Sequence, residues 1–452
     1  MQALVKKLKL LQVGDSAVRR NPLFYADAHR ELERLDEADL AERRKWTLNR
    51  LSEVLFPASR SGYGLIVRGG GDIASWPLLT KGQVRGAPGA FTSGSQLFTL
   101  KASTGGTSGA PLNIVRSLRS IVVEQVCIDR MMQKVGVDAR SGRCAVLRTD
   151  SVKDPNDFKP PYWVHAGGGN RIVFSSSHLN AATIDYYARA LEEFSPDCLL
   201  GYPTSLEALC VLLERLGKKI HIPAVLCSSE VLHNRVWHAA RDRLGCRLLD
   251  YYGQAERVAF AYATEPGAYR FLPGYAHVEF EPAGHEGDHN LYEIVGTPLW
   301  NQSMALIRYR TGDLIRVPSA WGARELEELS FGLRTFSGVL GRDSDILVTP
   351  DGAKVTGISH FQRDVANIVR IQVIQESGTR VVILVLPEEN YCELDRERLL
   401  RNVREKLPKN MHVEIRAVSA LERTARGKTP FVIHRAAVKE LLNTTRAQGN
   451  IA

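Results

Sequence analysis

The chain has 452 residues, with 59 lysines and arginines against 50 acidic side chains, a net charge of +9, and 44% hydrophobic residues. A length beyond the ~250–300 residues at which a single core stops growing predicts at least two domains. The apolar and charged fractions, 44% and 24%, are those of a folded globular protein and exclude long disorder, collagen-like repeats and a coiled-coil rod.

No run approaches the ~18 apolar residues of a membrane-spanning helix, and Lys6, Lys7 and Lys9 break the N-terminal stretch before a signal core forms. Seven scattered cysteines without a CxxC pair write neither a disulfide framework nor a cysteine-rich zinc site. These features predict a cytoplasmic protein with no membrane partner. The basic residues form no long run interleaved with aromatics, so nucleic acid is not an expected partner and the surface suits anionic small molecules.

In chain order, residues 22–58 place Leu32, Leu35, Leu40, Leu48, Leu51 and Leu55 at helical spacings among charges, predicting a helical start packed on the surface. Residues 102–114, ASTGGTSGAPLNI, form a hydroxyl- and glycine-rich stretch whose bare N–H groups and hydroxyls can wrap phosphate oxygens. Ala110 stands where a Walker loop has lysine, and alone the stretch reads more simply as a surface loop.

Between 172 and 253 the apolar runs IVFSS, CLLGYP, AVLCSS and CRLLDYYG alternate with helical stretches near 178–194, 204–217 and 231–244. That alternation predicts βαβ units on a parallel sheet. The last run leads into DYYGQAERVAFAYA at 250–263. Ligands of open parallel sheets collect at the carboxyl ends of strands, where Tyr252 can stack on a base and Glu256 can hold magnesium. In isolation the same residues are a turn and an acidic helix start.

From 269 to 316 the text changes to strands and turns such as HVEFEP and LYEIVG, an antiparallel segment that runs into LIRYRTGDLIRV at 306–317. Asp313 there can accept both hydroxyls of a ribose, or simply complete a hairpin turn. His277, His285 and His289 lie in the same turn-rich region without a spacing that fixes a metal geometry. After 341 the hairpin IQVIQ–ESGT–RVVILVLP, a charged helix over 392–407 and the strand HVEIRAV predict a small α+β domain. The division falls at GRDSD, giving a large domain over 1–340 and a small one over 341–452. In the latter, ERTARGKTPF at 422–431 carries Lys428 on a glycine-flanked loop that can bring a mobile charge to a reacting phosphate.

Taken in this order, the motifs resemble those of the adenylate-forming superfamily of acyl-CoA ligases, luciferases and adenylation domains. TGGTSGAP resembles its phosphate loop, YYGQAE its aromatic-YGxTE motif, YRTGDL its ribose motif, GRDSD its GRxDD hinge and RTARGK its terminal RTxSGK. SWPLLTK at 75–81, FSSSHLN at 174–180, GYPTSLEAL at 201–209 and TPLWNQSMALIRYRTGDL from 297 resemble the phenylacetate-CoA ligase-like branch. The resemblance runs from about residue 20 to the end.

It implies an α/β fold, with a large N-terminal multi-layer α/β domain that binds ATP and carboxylate and a small mobile C-terminal α+β domain carrying the catalytic lysine. Thr104, Gly105, Gly106, Thr107 and Ser108 would embrace the ATP phosphates. Tyr252 and Gly253 would meet the adenine, with Ser229 and Glu230 at its edge. Glu256 would bind Mg²⁺, Asp313 the ribose, with Arg342 near it, and Lys428 would bridge carboxylate and α-phosphate. The implied function is an AMP-forming ligase that activates a small-molecule carboxylic acid with ATP and passes the acyl group to coenzyme A or an amine. The branch also holds enzymes that transfer the adenylyl group to a hydroxyl; intact Lys428 and Glu256 speak against the further alternative of a non-catalytic nucleotide-binding homologue.

The sequence departs from the pattern at three positions. Ala255 stands where many relatives have a hydroxyl beside the glutamate, Ala110 replaces the loop lysine, and Ser344 replaces a hinge aspartate. The structural zinc of some relatives has no cysteine to hold it after YYGQAE. Tyr202 and Leu206 of GYPTSLEAL are expected to line the acyl pocket and to favour a mid-sized apolar or aromatic acid. A homodimer is the default assembly.

Overall fold

The computed structural model describes residues 18–93, 98–103, 112–148, 152–153, 157, 159–342, 347–350, 354–355, 358–362, 365, 367–404, 407–423, 429–436 and 438. The chain forms two compact units, Met1–Val339 and Leu340–Ala452.

The first unit opens with helices α1 (Pro22–Glu37) and α2 (Leu40–Ser59). Asn21 caps α1 by accepting from the Leu23 amide, with Pro22 pre-set for the first turn, and Asp39 caps α2 by accepting from the Glu42 amide. Extended backbone at Ala38 splits the predicted helical start into these two pieces. Their leucine stripe is buried at Leu32, Leu35, Leu51 and Leu55, whereas Leu48 points outward at 58% exposure.

A two-stranded antiparallel hairpin follows, β1 (Thr99–Ser103) and β2 (Asn113–Ser117), with Thr99 opposite Ser117. β2 runs straight into α3 (Leu118–Lys134), capped by the Ser117 side chain. The main sheet comprises β3 (Cys144–Leu147), β4 (Trp163–Ala166), β5 (Arg171–Phe174), β6 (Cys198–Gly201), β7 (Ala224–Ser228), β8 (Arg247–Gly253), β9 (Phe260–Ala263) and β10 (Arg270–Phe271). Its order is β10-β9-β8-β7-β6-β3-β5-β4. The five central strands are parallel, and antiparallel strands close both sides.

Helices α4 (Ile184–Phe194), α5 (Pro203–Arg215) and α6 (Asn234–Leu244) connect β5 to β6, β6 to β7 and β7 to β8, as the sequence alternation predicts. α6 stops at Gly245, which takes the left-handed φ of 58° that a helix C-terminus favours. Because side chains of a strand alternate faces, the central strands feed two cores. Val146, Leu226 and Leu249 join Val122, Val126 and Met131 of α3, while Ala145, Leu199, Val225 and Leu248 join Leu191, Leu209 and Trp237 of α4, α5 and α6.

A second sheet is formed by β11 (Ala276–Glu286), β12 (His289–Pro298) and β13 (Tyr309–Pro318), all antiparallel, as expected for that segment. β12 passes so close to the main sheet that a Cβ on Gly296 would sit 1.9 Å from the Val258 carbonyl oxygen. Only glycine permits that approach. Helix α7 (Ala323–Ser330) and strand β14 (Val339–Arg342) complete this part of the chain, and the division between the units falls inside β14.

In the second unit, β15 (Leu347–Val348) pairs with β16 (Lys354–Val355). The predicted hairpin is β17 (Ile368–Ser377) and β18 (Arg380–Pro387), the charged helix is α8 (Glu393–Arg404), and β19 (His412–Ala417) and β20 (Val432–His434) follow. The sheet order is β19-β18-β17-β20, with both outer strands parallel to their neighbours. A helical crossover is what a parallel return from β18 to β19 requires. Val373, Val381 and Ile383 pack with Leu399 and Val403 of α8 to make this unit's own core. Among the described residues of the chain, no helix is long and apolar enough to cross a membrane.

Candidate active site

At its carboxyl end β8 delivers Tyr252 and Gly253, and the chain then turns back through residues 254–259 into β9. The Tyr252 hydroxyl donates to Asp313 Oδ2 at 2.6 Å, joining the main sheet to β13. Gln254 braces the turn: its Nε2 donates to the Tyr252 hydroxyl at 2.6 Å, and its Oε1 accepts from the Ala259 amide at 3.3 Å. Asp313 is 4% exposed, so its orientation is fixed by the protein rather than by solvent.

The Thr-Gly-Asp turn has its own internal support. Thr311 Oγ1 donates to the Ile294 carbonyl at 2.7 Å and accepts from the Asp313 amide at 3.0 Å. Gly312 takes a left-handed φ of 74°, and its amide donates to Glu293 Oε1 at 2.9 Å. The β12–β13 register shifts between Glu293 and Val295, opposite this turn. Such a bulge re-aims a side chain out of the regular alternation.

Glu256 is 7% exposed, and its Oε1 accepts from the Tyr309 hydroxyl at 3.0 Å. Among the described residues no hydrogen bond reaches its other oxygen. A buried, oriented carboxylate with one oxygen to give fits a hard-cation ligand such as magnesium would require. Two arginines flank it. A terminal nitrogen of Arg116 donates to the Ala255 carbonyl, and Arg257, at φ 58°, donates to the Ser120 carbonyl at 2.6 Å. Glu124 accepts from the Tyr275 hydroxyl and lies 3.6 Å from Arg257 Nε. Burial, seconded by the Arg257 charge, pushes the Arg116 guanidinium down to about 10, against the pull of Glu124 and Glu256.

One strand over, Ser228 lies opposite Tyr251, so Ser229 and Glu230 leave β7 beside the end of β8. Ser229 holds a left-handed φ of 74°. Glu230 Oε2 accepts from the Thr204 amide at 3.0 Å and from its hydroxyl at 2.7 Å, capping the start of α5. Glu230 Oε1 is buried and meets no donor among the described residues.

The structure thus gathers Tyr252, Gly253, Glu256 and Asp313, with Ser229 and Glu230 adjoining. Thr104, Gly105, Gly106, Thr107, Ser108 and Lys428 lie outside the described residues, and Arg342 is described only as the last backbone position of β14. The expectation for Leu206 is corrected: it is 0% exposed in the core with Leu209 and Trp237, because its place on α5 faces the sheet, so it lines no pocket. Tyr202 is half-buried at the end of β6, with the Arg148 guanidinium 5.8 Å from its ring centre. His277 is half-buried, and burial lowers its basicity, while His289 Nδ1 lies 2.5 Å from Asp288. Among the described residues no three His, Cys, Asp or Glu side chains converge as a metal cluster.

Sequence reasoning missed Tyr309, Gln254 and Arg116. Tyr309 lies inside the YRTGDL motif, but its partner Glu256 is 53 residues away. Gln254 and Arg116 carry no signal beyond their nearness in sequence to YYG and to the glycine-rich stretch.

Residues 156–318 match the family of AMP-binding enzymes, and residues 347–435 match the CapK C-terminal domain family. Protein CapK of Staphylococcus aureus is 20% identical over 398 residues, covering 85% of this chain and 84% of that protein. A phenylacetate-coenzyme A ligase of Aromatoleum evansii is 22% identical over 310 residues, 66% of each chain. The fold matches that of a 2-hydroxyisobutyryl-CoA ligase solved in the postadenylation state with 2-HIB-AMP, at a TM-score of 0.63 and 16% identity, covering 90% of this chain and 93% of that one. With the motifs and these relatives in agreement, the findings support the adenylate-forming superfamily, in its phenylacetate-CoA ligase-like branch, as the family of this chain.

Proposed function

We propose that the protein is an AMP-forming carboxylate ligase: it activates a carboxylic acid as its acyl-adenylate and passes the acyl group to coenzyme A or an amine. The observation that carries this reading is the seam between the two sheets of the first unit, where Tyr252 holds Asp313 at 2.6 Å and Tyr309 holds Glu256 at 3.0 Å. A preset carboxylate for a ribose and a preset carboxylate for a metal, both tied across the same seam, suit a nucleoside triphosphate.

In the proposed reaction the substrate carboxylate attacks the α-phosphorus, pyrophosphate leaves, and the mixed anhydride becomes the acyl donor. The attack joins two anions, so positioning and charge compensation supply the catalysis. Tyr252 offers its ring to the adenine while its hydroxyl keeps Asp313 turned to the ribose. Ser229 and Glu230 stand at the adenine's edge, where the buried Glu230 Oε1 can accept from its amino group. Thr104 to Ser108 enclose the phosphates, Lys428 bridges carboxylate and α-phosphate, and Arg342 assists near the ribose. Glu256 would hold Mg²⁺, which when bound offsets phosphate charge. Lys428 belongs to the small unit, residues 341–452 in the functional division, and its departure would let the acceptor attack.

The test is pyrophosphate release across a panel of aryl, acyl and amino acids, with mass spectrometry of the products given coenzyme A or an amine pool. Release dependent on one acid, with a thioester or amide product, is the expected result. ATP binding without release for any acid would overturn the ligase reading.

A further inference from the structure

The phosphate loop of this chain has Ala110 where its relatives place a lysine, and Ala255 removes a hydroxyl beside Glu256. The site has therefore lost two groups that would meet the triphosphate, while the charge it must offset is unchanged. A replacement is visible in the fold. Arg116 lies on β2, the strand that resumes directly after the loop, and its side chain crosses to the 252–256 turn, where a terminal nitrogen donates to the Ala255 carbonyl.

Its surroundings are unusual for an arginine. Among the described residues no carboxylate forms an ion pair with Arg116, and its Nε is buried with no acceptor. The nearby acids are engaged elsewhere: Glu124 by Tyr275 and Arg257, and Glu256 by Tyr309. A second cation, Arg257, adds to the local positive potential, and burial first, then this charge, lowers the basicity of Arg116. A half-buried guanidinium with no carboxylate in ion-pair contact is costly to keep, because the pull of Glu124 and Glu256 repays only part of its desolvation. An anion arriving beside it removes that cost, and a planar guanidinium with donors to spare matches phosphate oxygens.

We propose that Arg116 is a phosphate-binding residue of this active site, taking over from the absent loop lysine the compensation of the triphosphate's charge. This rests on the nucleotide reading of the site given above. Its hydrogen bond to the Ala255 carbonyl ties the same guanidinium to the turn that carries Glu256, so one residue links phosphate position to metal-ligand position.

The experiment is calorimetric titration of wild type and Arg116→Gln with ATP, AMP and adenosine. Glutamine retains a donor for the Ala255 carbonyl but loses the charge. The expected result is a loss of roughly ten- to a hundredfold in ATP affinity, the range for a hydrogen bond to a charged group, with adenosine affinity unchanged. Arg116→Lys should recover part of the loss. Equal ATP affinity in wild type and Arg116→Gln overturns the assignment and leaves the nucleotide reading intact. Equal weakening of ATP and adenosine also overturns it, by showing that Arg116 only supports the turn. A wild-type protein that binds none of the three refutes the nucleotide reading itself, and this assignment with it.

Discussion

Asp250 gives the molecule a pH-dependent stability that can be worked out in advance. It lies on β8 two residues before Tyr252, is 4% exposed, and accepts the Tyr269 hydroxyl on Oδ2, while Oδ1 is buried without a partner among the described residues. Burial raises its carboxyl to about 7, with the Tyr269 bond and the Tyr251 amide pulling the other way. In the unfolded chain the group titrates near ~3.9. Between those values the unfolded chain gives up a proton that the folded chain keeps, so stability falls as pH rises from about 4 to 7 and then levels off. About three pH units at ~1.4 kcal/mol each give an upper bound of about 4 kcal/mol, of which roughly 3 kcal/mol falls between pH 5 and 8. Asp250→Asn keeps an acceptor for Tyr269 and cannot ionise. Urea unfolding followed by tryptophan fluorescence is the assay, because all six tryptophans lie in the first unit. The wild type should lose roughly 3 kcal/mol more than the variant on going from pH 5 to 8. Parallel declines in the two proteins would show that Asp250 is not a buried, reluctant acid.

Three substitutions test the proposed chemistry and one tests its frame. Asp313→Ala should weaken ATP and adenosine binding together, by about tenfold or more, and calorimetry showing full adenosine affinity would remove Asp313 from the ribose. Glu256→Gln should abolish magnesium-dependent pyrophosphate release; an unchanged magnesium titration contradicts its role. Lys428→Ala should stop adenylate formation while ATP affinity stays within a few fold, and pyrophosphate release at the wild-type rate would refute the lysine's assignment. Gly296→Ala places a methyl 1.9 Å from the Val258 carbonyl and should cost about 1–3 kcal/mol in unfolding, with a parallel loss of ATP binding. A variant as stable as wild type would mean that β12 can move away from the turn.

What could be read from the sequence followed from local pattern. The apolar runs around Leu199, Val225 and Leu248 and the helices between them have periods that a linear text displays, and so does the β17–β18 hairpin with its ESGT turn. Motif order likewise singled out Tyr252, Glu256 and Asp313. The pairing of those residues was not legible, because Tyr309 meets Glu256 only across the packing of two sheets, 53 residues apart in sequence. Arg116 was hidden for a similar reason: on a strand of five residues its destination depends on a carbonyl 139 positions later. Leu206 stands inside the GYPTSLEAL motif yet faces the core, because its helix and not its neighbours in sequence sets its direction.

The seam has a consequence for how the chain acquires its binding capacity. Its two ties span 61 and 53 residues, against 26 and 23 for the β6–β7 and β7–β8 strand pairs. Contacts of such separation are the slow ones to form. A chain still being synthesised therefore lacks the Asp313 tie until β13 has emerged. Once docked, the pair gains stability from any nucleotide it binds by mass action. ATP in the surrounding solution would then act on this protein as a selective stabiliser of correctly assembled molecules, before it acts as a substrate.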